Sequence, residues 1–193
     1  EINWFYPSAN SAQINRCVTY NYTENLWTTS SLARTSYIDQ GVFELPFATE
    51  YNKTGLPNFS IQGITNTYGA STYYEHEKGV DQVNSSGTTS IDAFIRSGDF
   101  DIEDGELFMS MRRFMPDYKF LVGNSKVTLF ISDYPSDLQS GSPLGPFTIT
   151  STTDKVDTRA RGRLLSLKIE NDAAGETWRY GSFRMDAQPD GRR

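Results

Sequence analysis

Hydrophobic and polar positions in this chain alternate with a period of two, and no segment convincingly holds the 3.6-residue period of a helix. The alternation is longest between Lys155 and Arg193. Val156, Thr158, Ala160 and Gly162 fall on one side of an expected strand. After a change of register, Leu165, Leu167 and Ile169 form a core-facing row with Ser166 and Lys168 opposite. Trp178, Tyr180, Ser182, Arg184 and Asp186 then alternate with Arg179, Gly181, Phe183 and Met185. The intervening Asp172-Ala-Ala-Gly-Glu176 has the length and the glycine of a hairpin loop, so the pattern predicts one long antiparallel hairpin.

Upstream, Ile2–Tyr6 reads as a strand stopped by Pro7. Arg16–Tyr22 and Leu26–Thr29 read as two strands around a Thr23-Glu-Asn25 turn. Arg34–Asp39 and Val42–Ala48 continue the rhythm, with Pro46 demoting the second to an edge or a strand end. Residues 49–59 carry the Asn, Gly and Pro of a loop. Ser60–Thr67 is a weak strand and Ser71–Glu77 a clearer one. Residues 80–90 are polar and expected to be mobile. A domain boundary is placed there, dividing the chain into 1–80 and 81–193. Ile91–Arg96 and Phe100–Ile102 follow. Leu107–Met115 is the most apolar run, expected to end at Pro116 and Asp117. Its two parities are Leu107, Met109, Met111 and Arg113 against Phe108, Ser110, Arg112 and Phe114, and a short helix is the alternative. Lys126–Ser132 is a strong strand, 135–146 a long loop, and Phe147–Thr150 a short strand. Turn signals about every ten residues indicate an all-β fold of antiparallel sheets: sandwich, barrel or propeller.

Composition narrows the class. The 193 residues allow one large β domain or two small ones, and 13% aromatic content suits pleated, half-buried surfaces. Cys17 is the only cysteine, so no intrachain disulfide is possible. There is no apolar run of about 18 residues, so no membrane span of the helical kind is predicted. The chain opens on Glu1 inside an expected strand, which reads as a piece of a longer polypeptide. The net charge of −6 disfavours tight binding to nucleic acid, which needs clustered cations.

Residues that could carry chemistry are few. His76, the single histidine, sits in Tyr-Glu-His-Glu and reads as a strand residue flanked by solvated glutamates. With Cys17 and scattered carboxylates it gives no zinc-ligand spacing, and no GxSxG motif accompanies it. Asp99, Asp101 and Glu103 alternate, which would place three carboxylates on one strand face where they could hold Ca²⁺. The EF-hand spacing fails, and like charges on an exposed face are the alternative; a glycosidase pair is weaker still. Asp172–Trp178 resembles the Asp-box turn of sialidase propellers, with one residue too many and no serine two before the aspartate. Arg159, Arg161 and Arg163 share one strand face. They could recognise phosphate or carboxylate, or pair with acids of a neighbouring strand or subunit. Asn-x-Ser/Thr sequons occur at Asn21, Asn52, Asn58 and Asn84. No cofactor motif occurs.

Several phrases together resemble a known family. WFYPS, YNYTENLWTTSSLARTSYID, YEHEKG, SGDFDIEDGELFMSMRRFMPD, VDTRARGR and WRYGSFRMDAQPDGRR are similar to the C-terminal part of short-tailed bacteriophage tail proteins: the nozzle, tail-tubular or packaged-DNA-stabilisation proteins. The likeness spans nearly the whole chain. It implies a β-propeller-like body with an added β-sandwich-like portion. It further implies a non-enzymatic virion component, assembled in the host cytoplasm into a homo-oligomeric ring, commonly six-fold. Such a ring sits on the tail axis beside adaptor and fibre or spike proteins, and packaged DNA passes through it without sequence-specific binding. The charge pattern suggests that Arg159, Arg161 and Arg163 of one subunit meet Asp99, Asp101 and Asp104 of the next. A carbohydrate-binding β module and a sialidase-like hydrolase are the alternatives.

Overall fold

In the computed structural model, the described residues are all but 53–58, 62–63, 67–69, 85–86, 103–104, 135–141 and 193. Among them every regular element is a strand. The chain forms two compact units, Glu1–Gly79 and Val80–Arg193.

The first unit holds β1 (Ile2–Tyr6), β2 (Arg16–Asn21), β3 (Leu26–Ser30), β4 (Ser36–Ile38), β5 (Phe47–Asn52), β6 (Phe59–Ile61), β7 (Ile64–Asn66) and β8 (Ala70–Glu75). β1-β2-β3 form one antiparallel sheet, β4-β5-β8 a second, and β6-β7 a ribbon. The β2–β3 turn is built by its own side chain: Asn21 Oδ1 accepts from the amides of Thr23 and Glu24 at 3.0 and 3.2 Å. Asn25 then takes the left-handed backbone conformation that asparagine tolerates better than most residues. Period two decides what each face carries. Ile2, Tyr20 and Trp27 lie opposite one another, while Cys17 points to the other face and is buried. β5 starts directly after Pro46 and runs to Asn52, four residues into the expected loop.

The second unit holds β9 (Asp81–Asn84), β10 (Gly87–Ser90), β11 (Ala93–Arg96), β12 (Met109–Val122), β13 (Ser125–Ser132), β14 (Ser142–Ile149), β15 (Val156–Gly162), β16 (Leu164–Asn171) and β17 (Thr177–Pro189). The polar segment expected to be mobile is the β9–β10 hairpin. The rest makes two antiparallel sheets, β11-β16-β13-β14 and β15-β12-β17. One core lies between them. Met109, Met111 and Phe114 of β12 and Ala160 of β15 meet Val127, Leu129, Ile149, Leu165, Leu167 and Ile169 of the other sheet. This is a β-sandwich, two sheets interleaving their apolar faces.

The expected closing hairpin does not form. β16 pairs with β13 and β11, whereas β17 pairs with β12. The 172–176 turn therefore carries the chain from one sheet to the other. Glu176 ties it, its carboxylate accepting from the Asn124 and Ala173 amides, each at 3.1 Å. Trp178 Nε1 donates to Asn171 Oδ1 across it at 3.1 Å. The chain also changes sheets between Gly162 and Leu164. A Cβ on Gly162 would lie 2.2 Å from Ile131 Cγ2, so only glycine fits where β15 closes against β13. The sequence pattern reads facing correctly here but cannot choose the partner strand, because either pairing buries the same row.

β12 likewise departs from expectation. It runs through Pro116 and Asp117 to Val122. Its pairing with β15 ends at Phe114, so beyond that point β12 is an edge on one side, where a proline is tolerated. A register irregularity between Met111 and Arg113 leaves Arg112 exposed and moves the core row onto Phe114, so the simple parity of this run breaks. β14 takes the last five residues of the loop expected at 135–146, as an edge strand that accommodates Pro143 and Pro146.

Phe114 is fully buried, stacked 5.4 Å from Phe183 and edge-on to Phe147. Phe114→Ala is expected to lower stability by about 3–5 kcal/mol, as aromatic truncation in a core does. Phe120→Ala, at a half-exposed position of the same strand, should cost far less. Urea unfolding monitored by tryptophan fluorescence measures both, and similar losses would argue against a core centred on Phe114.

Candidate functional sites

Three clusters carry charge or exposed aromatic surface. The first is the arginine strand. Alternation on β15 turns Ala160 and Gly162 inward and Arg159 and Arg161 outward. Arg163 lies past the strand end, half-buried at the sheet crossing. Arg161 Nε donates to Asp190 Oδ2 at 2.6 Å, and its guanidinium lies 4.2 Å from the Phe108 ring centre. Arg163 approaches the same ring at 5.0 Å and Tyr134 at 5.6 Å. The cross-strand register sets Arg113 between Asp157 and Asp186, 3.5 and 3.8 Å away. These are solvent-facing pairs, each worth about 0–1 kcal/mol. Arg161 thus finds its acid within its own chain. Beside these residues a groove of about 710 Å³ is lined by Ser110, Met111, Arg112, Asp157, Thr158, Arg159, Ala160 and Arg161.

The acidic candidates lie on the segment between β11 and β12. Asp99 and Asp101 are exposed, on either side of Phe100, whose amide and carbonyl exchange hydrogen bonds with Leu165. Glu103 and Asp104 lie outside the described residues. Among the described residues no three His, Cys, Asp or Glu side chains come together as ion ligands do.

The second cluster, in the first unit, joins residues far apart in sequence. Arg34 is buried beside Glu50, Tyr74 and His76. Its Nε donates to His76 Nε2 at 2.8 Å, its Nη1 to the Ala33 carbonyl at 2.7 Å, and its guanidinium stacks 3.7 Å from the Tyr74 ring centre. Glu50 accepts from Tyr74 at 2.9 Å and faces Arg34 at 3.6 Å. The Tyr37 ring packs against His76. His76 is therefore not the strand residue expected: β8 stops at Glu75, and the imidazole turns to meet Arg34, while the flanking Glu75 and Glu77 are exposed as expected. Burial, then the nearby guanidinium, holds the imidazole below its ordinary value. Burial and the bond to Glu50 push the Tyr74 phenol up. Only the charge signs of Arg34 and Glu50 could have hinted at this group, and they name no partner.

The third cluster is a tier of rings on β1–β3. Trp27 stacks on Tyr20 at 4.4 Å and on Trp4 at 5.7 Å, yet remains 62% exposed. No protein-family model matches the chain, and no curated protein matches it in sequence.

The Arg34–His76 bond requires a neutral imidazole as acceptor. Because the folded state depresses its affinity for protons, the unfolded chain binds more of them. The stabilisation is present above the ordinary value of 6.5 and is lost as pH falls below it. Urea midpoints for the first unit should therefore drop between about pH 7.5 and about pH 5.5, with His76→Gln showing a flatter dependence across that window. An unchanged slope in the variant would remove His76 as the cause.

Proposed function

We propose that this chain is a structural, ring-forming part of a short-tailed phage tail, in its nozzle or tail-tubular section. The observation that carries this reading is the apolar surface each unit leaves open. Trp4, Leu26 and Trp27 are exposed on the β1–β3 sheet, and Ile91, Phe94 and Ile95 at and before β11. β11 is an edge strand with all four residues exposed. Apolar patches of this kind mark contact surfaces, and a free apolar edge invites aggregation unless it is covered. Two unlike patches on one chain are what a heterologous, ring-closing interface needs. In this reading the β1–β3 meander belongs to a propeller-like blade whose aromatic face packs on a neighbouring sheet. The partners are further copies of the chain, with adaptor and fibre or spike proteins beside the ring. The net charge of −6 suits a conduit that passes DNA without gripping it.

A carbohydrate-binding module is the second reading, and the Trp4–Trp27–Tyr20 tier favours it. Exposed rings of this kind stack on sugar faces.

Electron microscopy and sedimentation of the purified chain, with the other tail components, test the assignment. Closed rings are expected, and Phe94→Asp and Trp27→Asp should each return them to monomers, since both side chains are exposed in the folded chain. A persistent monomer with glycan-array binding lost in Trp27→Asp would replace the ring by the sugar module.

A further inference from the structure

None of the exposed apolar residues named above for ring contact lines the groove between β12 and β15, and its chemistry is specific. The ladder runs from Met111 opposite Ala160 to Arg113 opposite Asp157. Between these pairs β12 inserts one residue, Arg112, and β15 two, Thr158 and Arg159. Such irregularities re-aim side chains and are common beside functional sites. Here the result is that Arg112 and Arg159, both exposed, line one groove together with Arg161, Ser110 and Thr158.

The surrounding charges are unevenly matched. Arg113, Arg161, Arg184 and Arg192 each have a carboxylate within 4.0 Å. The side chains of Arg112 and Arg159, like that of Arg179 on β17, make no ion pair or hydrogen bond among the described residues. The acid in the groove, Asp157, already serves Arg113 at 3.5 Å and Lys155 at 3.8 Å. Two guanidiniums facing the same space repel each other, and a bridging anion reverses the sign of that interaction. Each fork presents two parallel donors to an oxoanion.

We propose that this groove binds a tetrahedral oxoanion, a phosphate either free or carried on a small molecule, between Arg112 and Arg159. Ser110 and Thr158 supply hydroxyl donors. A carboxylate offers two coplanar oxygens, which one guanidinium fork satisfies. Two forks and two hydroxyls match four oxygens arranged in three dimensions. A nucleic-acid backbone is the poorer fit, since it needs a track of cations and the chain carries a net −6. The proposal is independent of ring formation, because every residue it uses lies within one chain.

Titration of the intact chain with inorganic phosphate at fixed ionic strength tests it, followed by amide shifts in NMR spectra and by calorimetry. Shifts are expected at Ser110–Arg113 and at 158–161. Arg112→Gln and Arg159→Gln should each weaken binding by about tenfold, as loss of a bidentate fork does. Free phosphate and a small phosphate monoester should compete for the same amides. Shifts scattered over all basic residues, equal binding by acetate, or unchanged affinity in both variants would overturn the proposal. So would tighter competition by a DNA duplex at equal phosphate concentration. The mapping on unaltered protein keeps the test valid even if one variant misfolds.

Discussion

The inner faces of two sheets meet over Phe114, Leu129, Leu165 and Ile169, and that contact dictates most of the second unit. Each face must remain apolar along its length. The chain therefore has to cross between sheets where small residues permit close approach, as Gly162 does against Ile131. Irregular register is how the central strand keeps its facing. Between Met111 and Arg113 the ladder slips, Arg112 is turned out, and Phe114 is turned in. Apolar burial of about 25 cal/mol per Å² outweighs the hydrogen bonds lost at such a slip.

The same slip places the charges. With the core row fixed, the remaining long polar side chains of β12, β15 and β17 must lie outward, and cross-strand register pairs them: Arg113 with Asp157 and Asp186, Arg184 with Asp117. Arg113, Arg161 and Arg184 meet acids, while Arg112 and Arg159, at the irregular step, do not, and neither does Arg179 of β17 among the described residues. A packing requirement in the interior thus creates a chemical feature on the surface.

The first unit relies on different forces. Its described sheets are small, and its buried residues among those described are few: Cys17, Arg34, Pro46 and Ala48. Stacked rings and one charged cluster take the place of a deep core. Arg34 is kept charged in a partly dry setting by Glu50, the Tyr74 ring and the His76 lone pair together. Such a cluster loses more than one bond when any member changes, because the others remain buried without their partner.

Alternation at period two, read along the chain, was enough to assign an all-β fold, the positions of β1, β2, β3, β8 and β13, and the inward rows of β15 and β16. These follow from local geometry, since successive side chains on a strand point to opposite faces whatever the partner. The pairing of β16 with β13 rather than β17, the passage of β12 through Pro116, and the meeting of Arg34 with His76 were decided only by tertiary structure. Each depends on which distant segment supplies the matching face or lone pair. A one-dimensional pattern records facing, whereas partner choice is settled by shape and charge brought together across tens of residues.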